Sequence, residues 1–199
     1  FWPRKYVNEP DTPNILALFK KIVDSGKHLA FMAHVNHWKE INTEVCHQAI
    51  ENIRQTGAQI RTQSPVLKHI NDDPEVWIKM WSEQVRLGMI PYYMFVERDT
   101  GPKHYFGLSL ERALEIYQLA IRNVSGLART VRGPSMSTTV GKVCVESISK
   151  INDEKIFVLS FLQARNPELV KTSFFAKYDP SAQWLDDLRP AFGEEFPHI

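Results

Sequence analysis

Four glycines, Gly26, Gly57, Gly88 and Gly126, each close a stretch with apolar residues at helical spacing, and each precedes a short apolar run. They stand 31, 31 and 38 residues apart. A unit of roughly 30 residues is what a strand, a crossover helix and the next parallel strand require. Alternation of the two patterns predicts an α/β fold with parallel strands, in a sheet that is open or closed into a barrel. The spacing predicts helices over 15–24, 43–55, 74–86 and 109–122, and strands over 29–33, 58–62, 90–96 and 127–131. Thr43 and the pair Asp73-Pro74 supply helix starts, and the glycines supply the stops. Four units are too few for a closed eight-stranded barrel, so the expectation is the C-terminal part of a partial (βα) barrel.

The pattern then changes. Residues 142–149 and 155–162 are β-rich runs joined by Ile151-Asn152-Asp153-Glu154, which reads as a hairpin. A loop-rich tail follows, and its aromatics, Trp184 and Phe192 among them, are expected to pack on the body, because an isolated hairpin is rarely stable alone. The domain reading is therefore residues 1–141 for the partial barrel and 142–199 for the hairpin and tail.

Charge narrows the function classes. Twenty-four Lys and Arg against 23 Asp and Glu leave a net charge of +1, which gives no reason to expect a nucleic acid or a membrane surface as partner. No run approaches the ~18 apolar residues of a membrane span. The two cysteines, Cys46 and Cys144, form no CxxC or CxxxCxxC cluster, so no metal-ligating set is expected from thiolates. They read as small buried apolar residues in a reducing cytoplasm. The start, Phe1-Trp2-Pro3-Arg4-Lys5, lacks the layout of a signal peptide and resembles the middle of a chain, so a fragment is expected. Exposed barrel edges in a fragment would favour self-association, which makes a homo-oligomer an open expectation.

Loops at the carboxyl ends of parallel strands carry ligands and chemistry. After the first expected strand comes His34-Val35-Asn36-His37. Two histidines three apart suit a metal or proton transfer near neutral pH; with no third ligand at readable spacing, contact with a ligand or loop ordering is the expectation. After the second come Gln63, Ser64 and Asn71, whose amides and hydroxyl suit hydrogen bonds to a cofactor or the capping of the loop itself. After the third, Tyr92-Tyr93-Met94-Phe95 offers rings to a planar cofactor or to the core, followed by Arg98 and Asp99, which read equally as a surface pair. After the fourth come Arg129 and Arg132, whose planar fork suits carboxylate or phosphate. Lys142, behind Gly141, suits a Schiff base with an aldehyde cofactor if its surroundings lower its pKa; a surface lysine is the plain alternative.

The runs His34-Val35-Asn36-His37, Gln63-Ser64-Pro65-Val66-Leu67 with Ile70-Asn71-Asp72, Gly88-Met89-Ile90-Pro91-Tyr92-Tyr93 and Ser125-Gly126 occur in that order. As a set they resemble lysine 2,3-aminomutase and its relatives, the radical S-adenosylmethionine aminomutases. The resemblance implies a partial (βα) barrel holding S-adenosylmethionine, a [4Fe–4S] cluster and pyridoxal phosphate. It implies abstraction of hydrogen from a small amino acid and migration of the amino group to the next carbon. On that resemblance Gln63 matches a glutamine that contacts S-adenosylmethionine, with His34, Asn36, His37 and Tyr93 beside the cofactors. Lys142 lies near the lysine that binds pyridoxal phosphate as a Schiff base. That lysine ends a Pro-Gly-Gly-Gly-Gly-Lys run in the family; here Pro134 is followed by Ser-Met-Ser-Thr-Thr-Val-Gly before Lys142. The family's two aspartates for the substrate ammonium fall on Arg98 and Arg132. Sign reversal at both implies an acidic, carboxylate- or phosphate-bearing substrate in place of lysine, unless a slip of one residue puts Asp99 in play. The cluster motif CxxxCxxC is not among these residues, so the cluster ligands are expected upstream and this stretch alone is not expected to be active.

Two other classes stay open on the residues alone. One is a non-radical βα-barrel lyase or aldolase using Lys142. The other is a non-catalytic ligand-binding or assembly fragment using the hairpin and tail.

Overall fold

The computed structural model describes residues 2–98 and 102–197. Seven strands form one sheet in sequence order: β1 (Ala30–His34), β2 (Gln59–Val66), β3 (Ile90–Val96), β4 (Arg132–Ser137), β5 (Gly141–Ile151), β6 (Glu154–Ala164) and β7 (Ser173–Lys177). The first four run parallel to one another. The last three are added antiparallel. The sheet is therefore mixed, with an all-parallel first part.

Helices α1 (Thr12–Asp24), α2 (Glu44–Gln55), α3 (Pro74–Arg86), α4 (Lys103–Phe106) and α5 (Leu110–Arg122) lie between the strands. Their ends follow from local chemistry. Thr43 accepts from the Cys46 amide, Asp73 from Glu75 and Ser109 from Arg112, so each satisfies an amide that helix geometry leaves without an internal partner. Gly88 ends the segment after α3 at φ +77°, in the left-handed region that favours glycine, with the Arg54 guanidinium where a Cβ would stand. Cys46, Ala49, Ile50 and Ile53 of α2 and Trp77, Met80 and Trp81 of α3 are buried against one face of the parallel strands. A second apolar cluster lies between α5, the tail and the antiparallel strands, around Phe157, Leu159 and Phe161.

Three expectations are corrected. The run 127–131 is no strand: residues Gly126–Ala128 form a 3-10 turn, and the strand begins at Arg132. Ala128 and Val131 are buried three apart while Leu127 is 74% exposed, a helical spacing that a strand would not give. Gly and Pro in β4 hid the true strand, and Gly133 is there for contact: a Cβ would lie 2.1 Å from the Met94 carbonyl of β3. Gln63 and Ser64 belong to β2, which runs four residues past the expected end. The tail holds a seventh strand, whose Phe174 and Ala176 alternate inward, too short a run to stand out from its loops. As the hairpin expectation required, 142–162 pairs antiparallel, and the parallel order stops at β4. That hairpin turns through Asn152 and Asp153, both at positive φ (49° and 65°), the backbone that a tight two-residue turn demands.

No helix among the described residues is long and apolar enough to cross a membrane. Both thiols are buried, and burial pushes Cys46 up to about 11 and Cys144 up to about 12. Because the thiolate is the reactive form, native protein at pH 8 is expected to show almost no reaction with a disulfide reagent, and two equivalents after denaturation. Rapid labelling of the native protein would contradict this burial.

Candidate functional site

With the helices on one side, the parallel strands present their other side largely uncovered; Met32 there is 41% exposed. Strand register places His34 beside Gln63, Gln63 beside Tyr93 and Tyr93 beside Arg132, one row across four strands. Period-2 alternation explains it: Ile60, Thr62 and Ser64 face the core, so Arg61 and Gln63 face away. Two register shifts, after Thr62 and after Tyr93, interrupt the ladder at this row. Such bulges re-aim side chains and recur beside active sites.

Over the row lies a pocket of about 200 Å³, lined by Gln63, Tyr93, Phe95, Arg98, Ser135 and Lys142 among others. Among the described residues its lining carries no acidic side chain. The Lys142 amine sits 4.0 Å from the Tyr93 ring centre. The Arg132 guanidinium is 4.4 Å from both the Tyr92 and the Tyr93 rings, and Arg61 is 4.9 Å from Tyr92. Cations and phenol rings thus alternate: Arg61, Tyr92, Arg132, Tyr93, Lys142. Each ring face attracts the charge above it.

The charges act on one another. Burial lowers the Lys142 pKa, Arg132 and Arg98 lower it further, and Tyr92 opposes them. More of its amine is therefore free at a given pH than for an exposed lysine. Burial alone would raise Tyr92, yet Arg132 and Arg61 outweigh it and the phenol is lowered. Tyr93 is raised by burial, against Arg132. The Arg61 Nε is buried with no hydrogen-bond partner, a donor facing the same side as Gln63.

The loops at the strand ends are tied by side chains that the sequence offered as ligand contacts. Asn71, fully buried, donates to the carbonyls of Asn36 (2.8 Å) and Pro65 (3.0 Å) and accepts from the Leu67 amide (2.7 Å). The Ser64 hydroxyl donates to the Val35 carbonyl. Both amide protons of Asn71 are spent, so it orders the loop. His37 caps a 3-10 turn, its Nδ1 accepting from Lys39, and Glu40 accepts from the Asn36 and His37 amides. His34 meets the edge of Phe95, a pocket ring, at 5.9 Å. Gln63, Tyr93, Arg98 and Lys142 therefore share one pocket, Arg132 and His34 flank it, and Asn36 and His37 stand one step back in the loop. Asp99 lies outside the described residues. Among the described residues no group of three or more His, Cys, Asp or Glu side chains is placed to hold a metal. The cation of this stack that motif reading passed over is Arg61, which lies over Tyr92 beside the pocket; its alternation with Gln63 was the available signal.

No protein-family model matches the chain. Its sequence is 35% identical over 178 residues to the Aquifex aeolicus protein named "Putative L-lysine 2,3-aminomutase", covering 89% of this chain and 46% of that one. The chain is lysine 2,3-aminomutase-like. It is also 27% identical over 127 residues to the L-lysine 2,3-aminomutase of Escherichia coli, covering 61% of this chain and 37% of that protein. To the glutamate 2,3-aminomutase of Clostridioides difficile it is 30% identical over 95 residues, 48% of this chain and 22% of that one. This lysine 2,3-aminomutase-like chain spans less than half the length of those relatives. The first of these likenesses covers 89% of the chain, so at least part of the antiparallel extension, which the motif set left out, has a counterpart there.

Proposed function

We propose that this chain forms part of a radical S-adenosylmethionine amino-acid aminomutase-like enzyme whose substrate is acidic, carrying a carboxylate or phosphate. The observation that carries the reading is the single row His34, Gln63, Tyr93 and Arg132 with the Lys142 amine over Tyr93. The parallel strands β1 to β4 are read as part of a barrel wall, with ligands on the uncovered side. In the family, S-adenosylmethionine, a [4Fe–4S] cluster and pyridoxal phosphate together supply the radical and the carrier for the migrating amino group.

The residues present fit the two organic cofactors. Gln63, on the pocket lining, offers polar contacts to S-adenosylmethionine. Lys142, with its lowered pKa and aromatic floor, suits the aldehyde of pyridoxal phosphate. They do not fit the cluster, since no CxxxCxxC run occurs in these 199 residues; no step is assigned to it here. The chain's own residues then have simple tasks. Lys142 holds its amine deprotonated more readily. Tyr93 and Phe95 wall the pocket and exclude water. Arg98 and Arg132 draw the substrate's acidic end and repel an ammonium.

The test is reductive trapping. Incubation with pyridoxal phosphate and borohydride, then peptide mapping, is expected to label Lys142 first among the lysines, and Lys142→Ala is expected to remove that label. Labelling spread evenly over surface lysines would end the reading.

A further inference from the structure

Strand register explains why two neighbouring tyrosines reach the same side of the sheet. Thr62 pairs with Pro91 and Gln63 with Tyr93, so β3 carries one residue more than β2 over this step, and that residue is Tyr92. Strict alternation would turn one of the two rings toward the helices. The extra residue re-aims it, as a bulge does. The ring centres lie 4.5 Å apart, edge to face. Tyr92 is flanked by charges from both neighbouring strands, Arg132 of β4 at 4.4 Å and Arg61 of β2 at 4.9 Å from its ring centre. Tyr93, whose ring carries the Lys142 amine at 4.0 Å, is buried, while Tyr92 is half-buried.

Condensation of an amine with a carbonyl is a problem of proton transfer. The nitrogen lone pair bonds to the carbonyl carbon, the C–O bond breaks, and the oxygen leaves as water with both amine protons. Each proton must cross from nitrogen to oxygen, and one group that gains and loses a proton near the working pH can carry both. Candidates near Lys142 are few. Arg61, Arg98 and Arg132 stay protonated at any working pH. Among the described residues the pocket lining has no carboxylate, and Glu97, beyond Phe95, lies off it. Glu146, further along β5, accepts from the Ser160 hydroxyl at 2.5 Å. His34 stands on β1, at the far end of the row from β5. Burial holds the Tyr93 proton more tightly. Burial would do the same at Tyr92, but Arg132 and Arg61 outweigh it and loosen that proton. Tyr92 is also close enough to Lys142 to oppose the lowering that burial causes there.

We propose that Tyr92 is the proton-transfer group for the Lys142 amine, and that Arg61 is a positioning residue acting through the Tyr92 ring. The proposal rests on Lys142 being the reactive amine of the function proposed above; which carbonyl compound it meets does not enter.

Acetaldehyde with excess cyanoborohydride reads the amine without any cofactor: ethylation of Lys142 is followed by peptide mapping across a pH series. Tyr92→Phe keeps the ring and its packing, which circular dichroism checks. It is expected to lower the limiting rate at high pH by about tenfold or more, on a scale where a positioned acid–base group supplies roughly 100-fold or more. The midpoint of the pH profile should move down, since Tyr92 opposes the lowering of the Lys142 pKa by burial. A purely electrostatic role would move the midpoint and leave the limiting rate unchanged, and that result overturns the proposal. Arg61 is read separately, by ultraviolet titration of tyrosinate, in which wild type minus Tyr92→Phe isolates one phenol. Arg61→Gln should move that titration upward and slow ethylation, and Arg61→Lys should restore both. A Tyr92 titration indifferent to Arg61→Gln overturns the positioning role. Ethylation that depends on Tyr92, with no pyridoxal phosphate trapped on Lys142, would sink the aminomutase reading and leave the proton-transfer role standing. Ethylation of Lys142 no faster than that of surface lysines would sink both.

Discussion

Asn71→Ala is expected to lower the unfolding free energy by about 3–5 kcal/mol. The substitution removes three side-chain hydrogen bonds at once, to the Leu67 amide and to the carbonyls of Asn36 and Pro65. Each of those groups is at least half-buried, and a buried polar group left without a partner costs about 1–3 kcal/mol. The Asn36 carbonyl keeps some access to water, which holds the sum below three full penalties. The loss is a large share of a stability of roughly 5–15 kcal/mol. It also reaches the site, because the same side chain joins the loop after β1 to the end of β2. The backbone carbonyl of Asn71 accepts from the Trp77 indole at 2.6 Å, so the tie continues into α3. Urea denaturation is the measurement: the midpoint should fall by about 1 M or more, at unchanged slope. Asn71→Asp should destabilise as well, since it replaces the donor with a charge that faces two carbonyl oxygens. A midpoint that moves for neither variant would mean that the loops are held by other contacts.

Asn71 also shows what a sequence conveys and what it withholds. A loop amide between a strand and a helix reads equally as a ligand donor or as a loop tie, and only burial with named partners decides between them. The glycine-punctuated helices at α2, α3 and α5 were legible because caps, apolar spacing and stops agree there. Strand β3 was legible for the same reason. β4 was not, because Arg132-Gly133-Pro134-Ser135 has none of the β-branched residues that mark strands, and the apolar run ahead of it drew the assignment to 127–131. Its place in the sheet is set by the close approach to Met94, a tertiary fact. The site was partly legible. Gln63, Tyr93, Arg98 and Lys142 were each named from motif and chemistry, and they meet in one pocket. Arg61, beside them over Tyr92, was passed over because it lies in no recognisable run.

Reversing charge at the row should change both the reactivity of Lys142 and the preference for ligands. Arg132→Asp replaces a cation that helps depress the Lys142 pKa with an anion that stabilises the protonated amine. Arg132 and Lys142 flank the same Tyr93 ring, at 4.4 and 4.0 Å, so their charges are at most about 8 Å apart. Unit charges at that range and an effective dielectric near 20 interact by about 2 kcal/mol, roughly one pH unit once solvent screening is allowed for. Burial is the first cause of the lowering and remains in the variant. The sign follows: with a higher pKa, less amine is free at any pH below it, and the pH profile of reductive trapping at Lys142 should move upward by about one unit. Arg132→Gln should move it by less. Binding should shift in the same experiment. Glutamate, whose side chain Arg98 and Arg132 would attract, should bind Arg132→Asp and Arg98→Asp at least tenfold more weakly, a loss of about 1.4 kcal/mol, while lysine binding should improve. Should the trapping profile move while the ligand preference stays as it was, Arg132 tunes the amine alone and the acidic-substrate assignment fails; if neither moves, the alternating stack of cations and phenols has no electrostatic consequence at this site.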